Sequence, residues 1–225
     1  MKHHECIVIE KNKTMIKKKS LLMIDLQNDF CTGGSLAVPF GEEVIPLANQ
    51  LQACFELVIA TQDWHPQDHA SFASRHKGRQ IGEVILLSDV SQILWPDHCV
   101  QQTKGAAFHP LLNTQKIKKI FHKGMNKTVD SYSAFFDNAH HHSTGLHDYL
   151  HAEHVSDIYL MGLATDYCVK YSALDAIHLG FNVFVIQDAC RGVALQSDDI
   201  DLAFDEMKKA GARLITCSDL FSKML

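Results

Sequence analysis

The chain has 225 residues, 46% of them hydrophobic and 21% charged, with a formal net charge of −5 at pH 7. That length can bury a full core as one domain, and no apolar run approaches the roughly 18 to 20 residues of a membrane-spanning helix, which excludes a membrane enzyme. Seven scattered cysteines (Cys6, Cys31, Cys54, Cys99, Cys168, Cys190, Cys217), with no CxxC pair and no export signal, predict reduced thiols in the cytoplasm.

Residues 1–19 carry six of the 21 Lys and Arg against Glu5 and Glu10, a local balance of +4 that leaves −9 for the rest. They read as a solvated basic leader, not a nucleic-acid-binding arm, ahead of a single domain over 20–225. Leu21 to Asp25 is a continuous apolar run ending in a carboxylate, the pattern of a strand buried on both faces. Val44, Leu47, Ala48 and Leu51 form a helical stripe, and Leu57 to Thr61 reads as the second strand. From His65 to Gly105 the rhythm breaks into a long polar stretch, the expected wall of a site. Strands at Lys119 to His122, Ile158 to Met161, Val183 to Ile186 and Arg213 to Thr216 follow. A helix with the stripe Val169, Ala173, Ala176 and Ile177 lies among them. Ser197 is the expected cap of the last helix and Gly211 its end. Strands alternating with helices predict an α/β fold with a parallel sheet covered on both faces, three layers in all.

In such a sheet ligands collect beyond the carboxyl ends of the strands. Asp25, Asp63-Trp64-His65, Lys123 and Gly162-Leu163-Ala164 leading to Cys168 all sit at strand ends. Taken singly, Cys168 reads equally as a small core residue, Asp25 as a structural cap and Lys123 as a surface charge. Together they offer a nucleophile, a base and a cation where a charge is otherwise costly to bury. A helix start at Cys168 is expected to favour its thiolate. Asp63 and His65 project to the same side of an extended chain, with His69 one turn on and His98 across the insertion. Carboxylate and imidazole donors suit one divalent ion, Zn, Fe or Mn, without choosing among them. Phe30, Trp95 and Tyr132 adjoin these groups and could sandwich a flat ring, or pack in the core. The run His140, His141 and His142 reads as a surface turn. No glycine-rich phosphate loop follows a strand.

The segments Asp25-Leu26-Gln27-Asn28-Asp29-Phe30, Asp63-Trp64-His65, Trp95-Pro96-Asp97-His98-Cys99-Val100, His122-Lys123-Gly124, Val129 to Asp137 and Gly162-Leu163-Ala164-Thr165-Asp166-Tyr167-Cys168-Val169 resemble, in order, the isochorismatase-like cysteine hydrolase family. The likeness is to its nicotinamide- and pyrazinamide-hydrolysing members, from Leu21 to the C-terminus. It implies a six-stranded parallel sheet in a three-layer αβα fold, the triad Asp25, Lys123 and Cys168, and the metal ligands Asp63, His65, His69 and His98. It also implies an oxyanion hole at the N–H groups of Ala164 and Cys168, with a cis peptide joining Leu163 to Ala164. Phe30 and Trp95 would flank the ring, with Tyr132, Leu163 and Ala164 nearby, and Lys123 would stabilise the thiolate and hold Asp25 ionised. The implied activity is hydrolysis of nicotinamide to nicotinate and ammonia through a Cys168 thioester, in NAD salvage, with another small carboxamide as the alternative substrate. Neither nucleic acid nor membrane is an expected partner, and both monomer and homo-oligomer stay open.

Overall fold

A computed structural model describes residues 18–87 and 89–222; the remainder of the basic leader lies outside the described residues. The chain runs β1 (Lys18–Ile24), α1 (Val44–Leu51), β2 (Leu57–Asp63), β3 (Val84–Leu87), β4 (Val90–Ile93), β5 (Ile117–Lys123), α2 (Leu146–Ala152), β6 (Val155–Leu163), α3 (Lys170–His178), β7 (Asn182–Arg191), α4 (Asp199–Ala210), β8 (Arg213–Ile215) and α5 (Cys217–Phe221). β1 begins at Lys18, two residues inside the expected leader.

Six strands form one sheet in the order β5-β2-β1-β6-β7-β8, and every neighbouring pair in it is parallel. The apolar runs that suggested strands buried on both faces are so buried. Leu21 and Met23 of β1, Val58 and Ala60 of β2, and Met161 and Leu163 of β6 join one core with Val44 and Leu51 of α1 and Leu220 of α5. The alternate residues Leu22, Ile24, Leu57, Ile59, Ile158 and Leu160 join a second core with Leu146 of α2, Ala173 of α3 and Met207 of α4. A period of two along each strand thus divides its side chains between two helical layers.

Some details depart from expectation. α4 starts at Asp199 with Asp198, not Ser197, in the cap position, although Gly211 does end it in the left-handed conformation. The last helix is α5, held by a capping box in which Thr216 and Asp219 exchange side-chain and backbone hydrogen bonds. The long polar stretch contains the antiparallel hairpin β3–β4 and is closed on itself by single bridges between His65 and Val100 and between Phe72 and Trp95.

The chain builds β1, β2 and β5 in one direction across the sheet, then returns to place β6, β7 and β8 on the other side of β1. The crevice between the carboxyl ends of β1 and β6 is therefore the switch point where a ligand site is expected. β1 and β6 approach closely there: Gly162 pairs with Ile24, has φ +125°, and a Cβ on it would lie 2.2 Å from the Ile24 carbonyl oxygen. Gly162→Ala is expected to cost at least about 2 kcal/mol, measured as a fall in the denaturation midpoint; unchanged stability would mean that the β1–β6 spacing is not fixed by this contact.

Candidate active site

The residues that finish the central strands converge. Asp25 follows β1 with φ 51°, and its fully buried carboxylate accepts from Thr61 Oγ1 at 2.6 Å. Asp63 and Lys123 end β2 and β5 and are paired by the sheet register, so their side chains meet across neighbouring strands. Lys123 Nζ lies 2.8 Å from Asp25 Oδ2 and also contacts Asp63 Oδ1. It donates to the Ser131 carbonyl at 3.0 Å and lies 3.3 Å from Cys168 Sγ. Cys168 arrives from the other side of β1, in a π-helical turn over Thr165–Val169 that leads into α3. In that turn the Ala164 carbonyl accepts from both Tyr167 and Val169. Oxygens of Asp25 and Asp63 and the Cys168 sulfur all lie within 4.8 Å of one another.

Burial and charge assign these groups different protonation states. Burial pushes Asp25 up to about 6, against the pull of the Lys123 ammonium and with the help of the nearby Asp63 charge. For Asp63 burial acts upward too, but Lys123 and the His65 and His98 imidazoles outweigh it and hold the carboxyl well below the usual range. Burial would discharge Lys123, yet Asp25 and Asp63 hold its ammonium well above the ordinary lysine value. Burial raises the Cys168 thiol well above its ordinary value, and Lys123 only partly offsets this. The expected resting thiolate is disfavoured here: Cys168 is 5% exposed, and loss of hydration works against the charged sulfur more than Lys123 favours it.

On the other side of Asp63 lies a trio of metal-type donors. Asp63 Oδ2 is 3.7 Å from His65 Nε2 and 3.8 Å from His98 Nε2, and the three residues present ligand atoms within 4.8 Å of one another. His65 Nδ1 lies 3.0 Å from the Gly124 carbonyl and His98 Nδ1 2.8 Å from that of Pro96. Donation to those carbonyls leaves both Nε2 lone pairs facing Asp63. His65 Nε2 is buried with no hydrogen-bond partner, an orphan that a bound cation would satisfy. Gly124 makes room for the ring, since a Cβ there would lie 2.3 Å from His65. Asp63, His65 and His98 therefore fit a divalent ion by donor type, burial and tautomer. His69 falls elsewhere: it clusters with His65 and Asp130 and not with Asp63 and His98. Its Nδ1 accepts from the Ser71 backbone N–H at 3.2 Å, and burial and the neighbouring His65 push it down to about 4.

Phe30, Trp95, Tyr132, Ala164, Tyr167 and Cys168 line a cavity that also reaches Asp63 and His98. The Leu163–Ala164 peptide is cis, as the resemblance implied. Leu163 is fully buried in the core cluster that includes α1, and Ala164, not Leu163, is among the residues lining the cavity. His140, His141 and His142 are exposed, His140 facing Asp175 and His142 facing Asp137. Cys31, Cys99, Cys190 and Cys217 are buried free thiols, and Cys54 is partly buried. Residues given no role from the sequence also take part. Asp130, in a loop beyond β5, brings Oδ1 to 4.0 Å from His65 Nε2. Asp166 accepts from the backbone of Val193 and Ala194, which ties a second loop over the cavity. Asp29 accepts from the Cys99 N–H at 2.7 Å and so steadies the turn carrying His98. Asp29, Asp130 and Asp166 all lie inside recognised motifs, but nothing in local sequence marked Asp130 as a neighbour of His65.

Comparison with known proteins adds an independent line. The Isochorismatase domain model matches residues 19–219. A nicotinamidase of Escherichia coli (strain K12) is 52% identical over 205 residues, covering 89% of this chain and 96% of that protein. A solved nicotinamidase/pyrazinamidase structure from Acinetobacter baumannii superposes with TM-score 0.88 at 44% identity, covering 92% of this chain and 99% of that one. The pyrazinamidase of Pyrococcus horikoshii, solved in complex with zinc, superposes with TM-score 0.73 at 34% identity over 88% of this chain and 99% of its own.

Asp25 is expected to titrate near pH 6, read from its carboxyl carbon by NMR, and Thr61→Val to move that titration upward because the ionised form loses a hydrogen bond. An Asp25 midpoint in the ordinary range around 4, or a downward shift in the variant, would contradict this picture of the site.

Proposed function

The chain belongs to the isochorismatase family, and from that premise we propose that it hydrolyses nicotinamide to nicotinate and ammonia, the deamidation step of NAD salvage. The observation that carries the reading is the meeting of Asp25, Lys123 and Cys168 in one buried cluster beside a cavity walled by aromatic rings. The nicotinamidase of Escherichia coli, at 52% identity, supports the substrate. Pyrazinamide, a ring analogue, is a second substrate on the same reading, supported by the Acinetobacter baumannii relative.

Catalysis divides one amide cleavage into two acyl transfers. The Asp25 carboxylate takes the Cys168 S–H proton, and the sulfur forms a bond to the amide carbon as the carbonyl electrons move onto oxygen. Backbone N–H groups of Ala164 and Cys168 receive that oxyanion, each donor being worth roughly 3 to 4 kcal/mol at the transition state. The intermediate collapses by breaking the C–N bond, and Asp25 returns its proton to the leaving nitrogen, so ammonia departs and a thioester remains. Asp25 then deprotonates water, hydroxide attacks the thioester carbon, the C–S bond breaks and the sulfur is reprotonated. A carboxyl pushed up to about 6 suits both halves, being ionised at neutral pH yet basic enough to accept a proton. Lys123 holds the sulfur and Asp25 together and balances the negative charge that moves between them.

Phe30, Trp95 and Tyr132 bind the ring from the cavity walls, while Asp63, His65 and His98 would hold a divalent ion, Zn, Fe or Mn. Such an ion supplies, when bound, a Lewis-acidic anchor for the ring nitrogen. His69 stands beside that trio, grouped with His65 and Asp130 as a further set of metal-type donors, and its Nε2 is buried with no hydrogen-bond partner.

Cys168→Ala is expected to abolish nicotinamide deamidation, followed as ammonia release, while nicotinamide binding persists; mass spectrometry during wild-type turnover should find the nicotinoyl group on Cys168. Substantial residual turnover would assign the nucleophile elsewhere. Because Asp25 works deprotonated, kcat/KM is expected to fall as pH drops through about 6, and a flat profile from pH 8 to 5 would exclude it as the base. Stripping with chelator should suppress turnover and reloading with zinc, iron or manganese restore it, whereas full activity in stripped protein would remove the ion from the reaction.

A further inference from the structure

The hairpin β3–β4 contributes little to either core. Val84 and Leu86 are 59% and 74% exposed, and of the eight residues in the two strands the buried one is polar, Gln92 at 2% exposure. Burying an amide away from water is unfavourable unless its hydrogen-bonding groups are satisfied, so a hairpin needing only an anchor would do better with an apolar side chain. Gln92 is instead hydrogen-bonded throughout. Its Nε2 carries two N–H groups and lies within hydrogen-bond reach of three acceptors, the Ile93 carbonyl at 2.7 Å, Asp130 Oδ2 at 3.0 Å and Tyr132 Oη at 3.1 Å, so one N–H is shared. Its Oε1 faces Asn138 Nδ2 at 3.5 Å. The carboxylate and the carbonyl require the donor end on this side, so the neighbours fix the orientation of the amide.

Each bond bears on the site. Tyr132 Oη accepts from Gln92 and, at 3.0 Å, from Trp95 Nε1. These two contacts fix the position of the hydroxyl on a residue that, with Trp95, lines the cavity. Asp130 Oδ1 accepts from the Ser131 N–H at 2.8 Å and faces His65 Nε2 at 4.0 Å, while Gln92 holds Oδ2. The carboxylate is thereby kept turned toward the imidazole that belongs to both donor clusters.

We infer that Gln92 is a positioning residue of this site: one side-chain amide fixes the Tyr132 hydroxyl at the substrate cavity and holds the Asp130 carboxylate against the metal-binding imidazole of His65. The inference deepens the proposed amidase reading and rests on it for the substrate, though not for the metal. Gln92 touches neither ring nor reacting atoms. It acts through the wall that grips the substrate and through the surroundings of the ion, so binding should suffer more than turnover. Groups that orient a metal site from outside its ligands are worth about 10- to 100-fold in affinity.

The test uses Gln92→Met, which keeps the length and removes both donors. Its KM for nicotinamide is expected to rise by roughly 10-fold with kcat changed less than about 3-fold, and zinc titrated into chelator-stripped protein should bind roughly 10-fold more weakly. In a Tyr132→Phe background the same substitution should add less than about 2-fold to KM, because the hydroxyl it positions is gone; a purely structural role would give additive effects. Unchanged KM and zinc affinity in a folded Gln92→Met protein, or full additivity with Tyr132→Phe, would overturn the inference. If Gln92→Met does not fold, the same measurements on Gln92→Glu decide it, since that variant keeps the shape and sets a second carboxylate against Asp130. A wild-type protein inert toward nicotinamide would refute the proposed function, and the zinc titration would still judge Gln92.

Discussion

An ammonium group enclosed on all sides is the constraint around which this molecule is organised. The Lys123 side chain has no exposed surface, and an unpaired buried ion of that kind would cost several kcal/mol. It is tolerated because Asp25, Asp63, the Ser131 carbonyl and Cys168 surround it. Those partners come from the turn after β1, the end of β2, the loop after β5 and the turn after β6. The charge is thus satisfied only when the central strands are in register, which couples formation of the site to completion of the sheet. The Asp63–Lys123 pair follows directly from that register, and the Gly162 backbone seated against Ile24 sets the spacing that brings Cys168 to the same point.

Asp63 joins two chemistries. One oxygen meets the ammonium and the other faces the imidazoles of His65 and His98, so the Lys123–Cys168 cluster and the trio of metal-type donors share a carboxylate and have a fixed relative position. Similar groups nevertheless behave differently. Asp63 is held ionised by its cationic neighbours, whereas Asp25, with burial dominant, rises to about 6. Two carboxylates a few ångströms apart thereby become a permanent anion and a proton carrier. Burial keeps the sulfur protonated until that carrier acts.

The insertion between β2 and β5 completes the enclosure. It brings His69, Trp95 and His98 from outside the sheet and fastens them by the bridges at His65–Val100 and Phe72–Trp95. Asp29 grips the turn behind His98 and Gln92 grips Asp130 and Tyr132. The exposed hairpin thus takes part in the geometry of the cavity while contributing almost nothing to the core.

The sequence by itself determined the layered α/β plan, because strands buried on both faces must be continuously apolar and their polar terminators, Asp25, Asp63 and Lys123, mark the carboxyl ends. Position at or just beyond strand ends also made His65 and Cys168 candidates, with His98 across the insertion, and the family resemblance supplied their expected roles. Only the tertiary structure decided what depends on neighbours distant in the chain. Asp130 approaches His65 across more than sixty positions of sequence, and Gln92 reaches Tyr132 and Asp130 from the solvent side. His69 groups with His65 and Asp130, and the Leu163 side chain is taken into the core. The protonation of Cys168 belongs here too. A helix start is visible in local sequence, but the depth of burial that overrides it is a property of the assembled fold.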